Sequence, residues 1–444
     1  MTRLLYPFLA LLLSLSVLLL GSGLLGTLLP LRMVVEHFPT ATIGLVMACY
    51  SAGYVMASLW FGGILVRVGH IRAFAVLAAL AAGSTLLYPL LIDPVLWALM
   101  RTVFGFAIAG LYMVTESWLN ARTPREFRGR MLAFYSITTY AALGGGQFLL
   151  NLWPVTGFHL FSLAAFLLAL SLVPVSLTRA PTPELTEIRP LSIRKLYRLS
   201  PGGVVGALMA GFIAGGFLAL GPVFGSRVGL SVAEVSVLMG AVMFGGLLFQ
   251  WPLGRFSDRH SRPLTIIFVA AGVAATSLLL LVFAPRSELG LVILATIWGG
   301  LAFTIYPLCL ALTNDYISSE ELLGAGSRLI LMHGLGMVAG PVLLGRLMES
   351  YGPWSLFAAI AVVAAWLAGF VLWRERSGPT LTVEEQGEYV AVPSTTPLAG
   401  ALDPRAEDLQ LELPFDHEEA GGYAAAMLNK AAFTDDDQTE ERRG

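Results

Sequence analysis

One apolar stretch, WALMRTVFGFAIAGLYMVTESWLN, contains two charged residues whose side chains could do chemistry. Arg101 and Glu116 share one stripe of a helix with Tyr112 when each residue turns the helix by about 100°. A guanidinium buried there needs a carboxylate, carbonyl or water from another helix or a ligand, or else it snorkels to the periplasmic surface as an anchor. A buried carboxyl could carry a proton at neutral pH. At ~1.5 Å per residue their Cα atoms would be about 22 Å apart, too far for a direct ion pair. The alternative for Glu116 is an anchoring role beside Arg122 and Arg125 at the helix end.

A second charged cluster is the turn GRFSDRHSR, which separates two long apolar runs. Glycines before it would let helix backbones approach closely. The arginines of the turn could pair with acids or carbonyl groups of a neighbouring element. The first half of the chain repeats the spacing but has Val66 in place of the acid. We predict that these glycines and charged residues form a conformational latch: Gly53, Gly62, Arg67, Gly245, Gly254, Asp258, Arg259 and Arg262.

Asp258 has a specific predicted partner, the start of the fifth apolar segment near residues 129–133. Free backbone amides at a helix start favour a carboxylate, and Arg128 or Arg130 would add a charge-assisted hydrogen bond. Such a contact would close the cytoplasmic side of the protein. The alternative is a basic turn that only sets the orientation of the chain in the membrane.

The elements that must position these residues are membrane helices. Hydrophobic residues make up 56% of the chain and charged residues 13%, against roughly 25% charged in soluble domains. About twelve apolar runs reach the ~20 residues that a spanning helix needs. Runs of this length indicate helices rather than a barrel, because a helix satisfies its own backbone hydrogen bonds in lipid. The first run continues past any plausible cleavage site, so we expect an uncleaved first helix.

The distribution of charge sets the expected orientation. Turns after the even-numbered segments carry most of the arginines, so these turns and both termini are predicted to be cytoplasmic. Up to Arg376 the chain has 23 basic and 14 acidic residues, whereas residues 377–444 have 4 basic and 15 acidic. Such an acidic, proline-interrupted tail is predicted to be disordered.

The two halves of the chain repeat one pattern. Gly53 aligns with Gly245 at an offset of 192 residues, and Tyr112 aligns with Tyr306 at an offset of 194. Six spans per half give both copies the same sense, so the repeat is parallel. We predict an all-α polytopic membrane protein with twelve transmembrane helices in two six-helix bundles around a central cavity. Its parts are a first bundle, a cytoplasmic linker, a second bundle and a tail at residues 1–177, 178–202, 203–374 and 375–444.

Weaker candidates for the cavity lining are isolated polar and aromatic residues within the predicted helices: Tyr112, Gln147, Trp298, Tyr306 and His333. Tyr306 precedes Pro307, and Trp298 precedes two glycines, which suggests a bent, aromatic-lined tenth segment. The alternative for the polar groups is a hydrogen bond between helices rather than contact with a ligand.

The spacing G-x8-G-x3-D-R-x-x-R in the second half resembles the loop signature of the major facilitator superfamily. Arg101 followed by Gly105 resembles the pattern of that family in its fourth helix, and GMVAGPVLLG resembles its Gly-Pro hinge in the eleventh. ESWLNARTPREFRGRMLAFY is similar to the YcaD-like branch of bacterial members. The family usually keeps the acid in the first copy of the loop, whereas this chain keeps it in the second. The resemblance covers residues 1–376 and implies alternating access across a membrane.

These patterns together predict a secondary active transporter of a small organic solute, coupled to protons, with export and uptake both open. The chain has no G-x-x-x-x-G-K-[ST] phosphate loop and no nucleophile–base pair or metal cluster, so we expect no enzyme activity, cofactor or metal. The expected partners are the solute, protons and lipid, without nucleic acid, for a monomer in the bacterial inner membrane. A non-transporting sensor that signals through its acidic tail is the alternative.

Overall fold

The computed structural model describes residues 2–177, 191–283, 288–377 and 381–405, without the side chains of residues 1–7, 125 and 283. Helices dominate these ranges, and no strand occurs within them. The first bundle contains α1 (Thr2–Val35), α2 (Thr40–Val68), α3 (His70–Leu87), α4 (Pro94–Arg122), α5 (Arg128–Phe148) and α6 (His159–Leu170, continued by Leu172–Ser176). A linker helix (Ile193–Leu199) follows. The second bundle contains α7 (Pro201–Arg227), α8 (Val232–Arg259), α9 (Arg262–Phe283), α10 (Glu288–Asn314), α11 (Leu322–Tyr351) and α12 (Ser355–Ser377).

Eleven helices of the described ranges are long and apolar enough to cross a membrane. α5 has 21 residues but is not among them. Its sequence RGRMLAFYSITTYAALGGGQF contains two arginines and several hydroxyl groups, because much of its surface faces other helices rather than lipid. The predicted all-α architecture of two helical bundles is confirmed.

Close glycine contacts repeat between the halves. A Cβ on Gly53 of α2 would collide with the Thr102 carbonyl of α4, and one on Gly245 of α8 would collide with the Thr296 carbonyl of α10. The residues of the second contact are the repeat mates of those in the first, at the same sequence offsets of 192 and 194 residues. Gly residues at these positions therefore let equivalent helices of each bundle pack backbone against backbone.

The two bundles meet at one end of the molecule. We call the end that carries the α2–α3 and α8–α9 turns the linker face, and the other end the opposite face. Near the opposite face, Gly44 of α2 packs on Pro341 of α11, and the backbone amide of Ala41 donates to Glu349 at 2.8 Å. Asn151 donates to Ser236 at 3.0 Å in the same region. The opposite face is therefore closed by direct contact between the halves.

Residues 381–405, which we call the C-terminal segment, lie at the linker face. Disorder was predicted for the whole tail, but this part packs into the bundle, and Leu398, Ala399 and Leu402 are buried. Its short helix Pro397–Leu402 contacts α4 and α5 of the first bundle and α11 of the second. The remainder of the predicted tail lies outside the described residues. Helix α12 continues to Ser377, which moves the start of the tail beyond residue 375.

Candidate functional site

A cavity of about 250 Å³ lies between the two bundles. Arg101, Tyr112, Gln147 and His333, all predicted as candidates, line it. Tyr50, Tyr54 and Tyr140, for which no role is predicted from the sequence, also line it. The volume is below the ~300–1,000 Å³ typical of ligand pockets. Part of the space is filled by the chain itself, because Pro393, Ser394, Thr395 and Pro397 of the C-terminal segment form one wall.

Arg101 carries a buried cation at the cavity wall, with only 2% of the residue exposed. Its Nη2 lies 3.2 Å from the sulfur of Met47, and its guanidinium carbon lies 5.8 Å from the ring centres of Tyr50 and Phe104. No carboxylate of the described residues forms an ion pair with it, and its Nε has no hydrogen-bond partner there. Aromatic faces stabilise a cation less than a carboxylate does in a dry site. The guanidinium therefore retains capacity for an anion.

Glu116 is fully buried and does not itself line the cavity, but it contacts Thr395, which does. Its carboxylate accepts hydrogen bonds from the hydroxyl groups of Tyr135, Thr395 and Thr396. Tyr135 belongs to α5, whereas the two threonines belong to the C-terminal segment. All three partners are neutral. Among the described side chains, Glu116 therefore does not pair with an arginine at the end of α4, as the anchoring alternative requires.

Gln147 and His333 each contact a neighbouring helix as well as the cavity. Gln147 donates to the Gly23 carbonyl at 3.1 Å, and its own side-chain oxygen accepts from Thr27. The His333 ring packs edge-on against Tyr306 with centres 4.8 Å apart. Both residues contact a neighbouring helix and present a polar edge to the cavity. A hydrogen bond between helices describes Gln147, and contact with a ligand stays a prediction for both residues.

Trp298 and Tyr306 are not part of the cavity wall. The Trp298 indole donates to Ser277 at 2.8 Å and packs on Phe217, with ring centres 4.5 Å apart. Tyr306 is buried behind His333. The expectation that they face the cavity is therefore wrong for this conformation, because the side of α10 that carries them packs inside the second bundle.

The turn GRFSDRHSR holds the C-terminal segment. The Asp258 carboxylate accepts from the backbone amide of Tyr389 at 2.7 Å. A Cβ on Gly254 would collide with the Tyr389 ring, so glycine makes room for that ring. The start of α5, predicted as the partner of Asp258, is instead covered by the same segment, since Pro404 lies against Gly129. In this conformation Asp258 therefore holds the C-terminal segment, and its contact with the start of α5, which would close that side of the protein, stays a prediction.

Arg262 connects this turn to α10. Its guanidinium forms a buried ion pair with Asp315 at 2.6 Å and donates to the Gly387 carbonyl. Asp315 in turn accepts from the Gly387 amide at 3.1 Å. Burial raises the pKa of the Asp315 carboxyl, and the charge of Arg262 opposes that change. Three of the residues predicted to form a latch, Gly254, Asp258 and Arg262, are thus in contact with the chain's own C-terminal segment.

The first-half copy of the turn makes no comparable contact with any residue that the structure describes. A Cβ on Gly62 would have nothing within 4 Å, and Arg67 is exposed. Arg259, the repeat mate of Arg67, is also exposed. The asymmetry agrees with the position of the acid, which only the second copy has. In the described part of the chain, no group of three or more His, Cys, Asp or Glu residues could hold a metal ion.

Comparison with known proteins identifies relatives over nearly all of the described chain. The family model of the Major Facilitator Superfamily matches residues 11–231 and 203–407. The MFS-type transporter YcaD of Escherichia fergusonii is 28% identical over 363 residues, which cover 81% of this chain and 93% of that protein. An MFS-type transporter of an Enterobacter species is 27% identical with the same coverage of both chains.

Two solved structures share the fold. The nucleoside transporter NupG superposes with a TM-score of 0.69 at 16% identity, covering 83% of this chain and 98% of NupG. A bacterial homologue of the human lysosomal transporter Spinster, in an inward-facing and occupied conformation, superposes with a TM-score of 0.68 at 15% identity, covering 86% and 98%. At these identities the likeness concerns the fold alone.

Proposed function

Because the chain belongs to the Major Facilitator Superfamily and to its YcaD-like branch, we propose that it is a secondary active transporter that couples solute movement to protons through Glu116. The observation that carries the proposal is the position of this carboxyl. Glu116 is fully buried next to the cavity-lining Thr395, and its described partners are neutral hydroxyl groups. A carboxyl without a fixed cation can change its protonation state when its surroundings change between two conformations.

The linker face is the cytoplasmic side in this proposal. The turns after the even-numbered helices, with the linker counted among them, carry most of the arginines of the chain, in line with the positive-inside rule. Both termini then lie in the cytoplasm of a bacterial inner-membrane protein. The closed opposite face is the periplasmic side, and the conformation is one in which the halves are apart on the cytoplasmic side.

The solute is proposed to carry an anionic group. Arg101 is buried at the cavity wall with aromatic neighbours and no described carboxylate partner. Burial of a charge at this depth has a high free-energy cost unless a group of opposite charge pairs with it. A carboxylate or phosphate with a small apolar body would supply the missing charge and fit the tyrosine-rich wall formed by Tyr50, Tyr54 and Tyr140.

Glu116→Gln tests the coupling. A thermal-shift panel of monocarboxylates, dicarboxylates, sugar phosphates, amino acids and nucleosides would first supply a compound that the parent protein binds. In proteoliposomes, the variant should exchange that compound downhill but should not accumulate it when a pH gradient is imposed. Glu126→Gln, which alters an exposed acid near the end of α4, is the control and should behave like the parent. Accumulation by Glu116→Gln at the parent level would remove Glu116 from the coupling mechanism.

Arg101→Gln tests the solute class. The variant should lose the thermal shift given by anionic compounds, while Arg67→Gln, at an exposed arginine, should keep it. A retained shift in Arg101→Gln, or stabilisation by neutral compounds alone, would refute the anionic class.

The sensor alternative differs in what the tail does. Deletion of residues 378–444 should leave solute flux intact or raise it if the protein is a transporter. A sensor that uses the tail as its output would show no flux in either form and would lose its signal in the deletion variant.

A further inference from the structure

We propose that the C-terminal segment, residues 381–405, is a built-in plug that occupies the linker-face mouth of the cavity and must leave before a solute can enter. The consequence for flux rests on the proposed transport function. The docking of the plug rests only on the contacts described below, so the two can fail separately.

The deepest part of the segment meets the central acid. Thr395 and Thr396 both donate their hydroxyl groups to the Glu116 carboxylate, one to each oxygen. Pro393 and Ser394 next to them form part of the cavity wall. The segment therefore satisfies a buried carboxylate that a solute or water would otherwise have to reach. A solute that uses Glu116 must compete with these two hydroxyl groups.

The upstream part of the segment is fixed to the second bundle by its backbone. Asp258 accepts from the Tyr389 amide, and Asp315 accepts from the Gly387 amide. Arg262 holds the Gly387 carbonyl from the other side. Charge-assisted hydrogen bonds of this kind are about twice as strong as neutral ones. The turn that resembles a family signature is in this chain the socket for the plug.

The downstream part of the segment lies between the halves. Helix Pro397–Leu402 touches α4, α5 and α11, and Leu398, Ala399 and Leu402 are buried in that contact. A wedge in this position keeps the halves apart at the linker face while it fills the space between them. Alternating access needs that face to open to solutes and then to close, and the wedge prevents both steps.

A matched pair of double variants tests the plug. Thr395→Val with Thr396→Val keeps the side-chain shape but removes both hydroxyl groups, whereas Thr395→Ser with Thr396→Ser keeps them. The readout is the rate at which a membrane-impermeant maleimide labels Ser327→Cys, a cavity-wall position on α11, in a background with Cys49→Ala and Cys309→Ala. The labelling rate of a variant that lacks residues 378–444 is the reference for a cavity mouth without the plug.

We expect the valine pair to raise the labelling rate about tenfold or more towards that of the deletion, because each lost hydrogen bond to a charged group weakens docking substantially. The serine pair should label at nearly the parent rate. Equal labelling of the valine pair, the deletion and the parent would overturn the plug. If deletion impairs folding, seen as loss of the monodisperse peak in size-exclusion chromatography, the valine and serine pairs still decide the question.

Solute flux is measured in the same proteoliposomes to separate the two proposals. Faster labelling together with faster flux supports both. Faster labelling without any flux for the compound panel keeps the plug and counts against the transporter. Unchanged labelling with flux present rejects the plug and leaves the transporter.

Discussion

A single methyl group on α2 is expected to open the closed face of the protein. Gly44 packs on α11 so closely that an added Cβ would lie 2.2 Å from the Pro341 carbonyl oxygen and 3.3 Å from the Cα of Gly345. Both neighbours are backbone atoms, so neither can move aside by a rotation of a side chain. Gly44→Ala should therefore push α2 and α11 apart near the opposite face, where the two halves otherwise touch.

The size of the effect follows from the overlap. Ordinary van der Waals contact begins at about 3.4 Å, so the backbones must separate by roughly 1 Å, and overpacking of this kind costs ~1–3 kcal/mol. That cost falls only on the conformation in which the opposite face is closed. It corresponds to a shift of about 5- to 150-fold in the population ratio of the closed and open forms.

Gly63→Ala is the matched control on the same helix. A Cβ at Gly63 would meet nothing within 4 Å, so this variant shares the ~0.4–1 kcal/mol gain of a helical Gly→Ala change without the clash. Spin labels at the exposed residues Leu45 and Tyr351, measured by double electron–electron resonance, report the separation of α2 and α11. Longer distances should appear in Gly44→Ala only. Matching distance distributions in the two variants would show that this contact does not hold the face closed.

Three further tests concern the packing and the assignment of buried residues. Arg262→Gln removes one partner of a buried ion pair and should lower the free energy of unfolding by ~3–5 kcal/mol, which is measured as a lower Tm in detergent. Arg259→Gln, at an exposed position, is the control and should leave Tm unchanged. Equal Tm values for the two variants would refute the pairing of Arg262 with Asp315. Gln147→Met should lower the free energy of unfolding by ~1–2 kcal/mol. Adding Thr27→Val should lower it little further, because the two side chains share one hydrogen bond. Fully additive losses of Tm would contradict that coupling. Trp298→Phe should lower Tm through the lost bond to Ser277 but leave the thermal shift of a bound solute unchanged, and a lost shift would return Trp298 to the cavity wall.

The sequence alone predicts the bundles well, because their packing is recorded in residue type and spacing. Gly53 and Gly245 lie where α2 and α8 pack against the backbone of a neighbouring helix, so no larger residue fits there. Because such positions recur in both halves of the sequence, they predict two equivalent bundles. Periodicity does not decide which of several faces of a fully buried helix meets the cavity. Trp298 and Tyr306 therefore looked like cavity residues although their side of α10 packs within the second bundle.

The C-terminal segment escaped prediction for a different reason. Averaged over the last part of the chain, acidic composition indicates disorder, but the stretch YVAVPSTTPLAGAL from Tyr389 to Leu402 contains no charged residue. The absence of charge from this stretch was the one feature of the sequence that indicated a buried segment within the tail. Its partners could not be read from the sequence, because Asp258 and Asp315 hold backbone amides, which every residue except proline provides.

Helix α5 has a consequence for how the protein is made. It lacks the apolarity of the other spans, yet it lies where the two bundles meet, in contact with α1, α8 and the C-terminal segment. A segment of this polarity gains little by entering lipid alone, so it should leave the translocation machinery together with a neighbour that covers its hydroxyl and amide groups. The partners are already synthesised at that stage, since α1 offers the Gly23 carbonyl and Thr27 to Gln147, and Glu116 of α4 accepts from Tyr135. We therefore expect the polar bonds between these helices to assist the insertion of α5 as well as to stabilise the finished bundle.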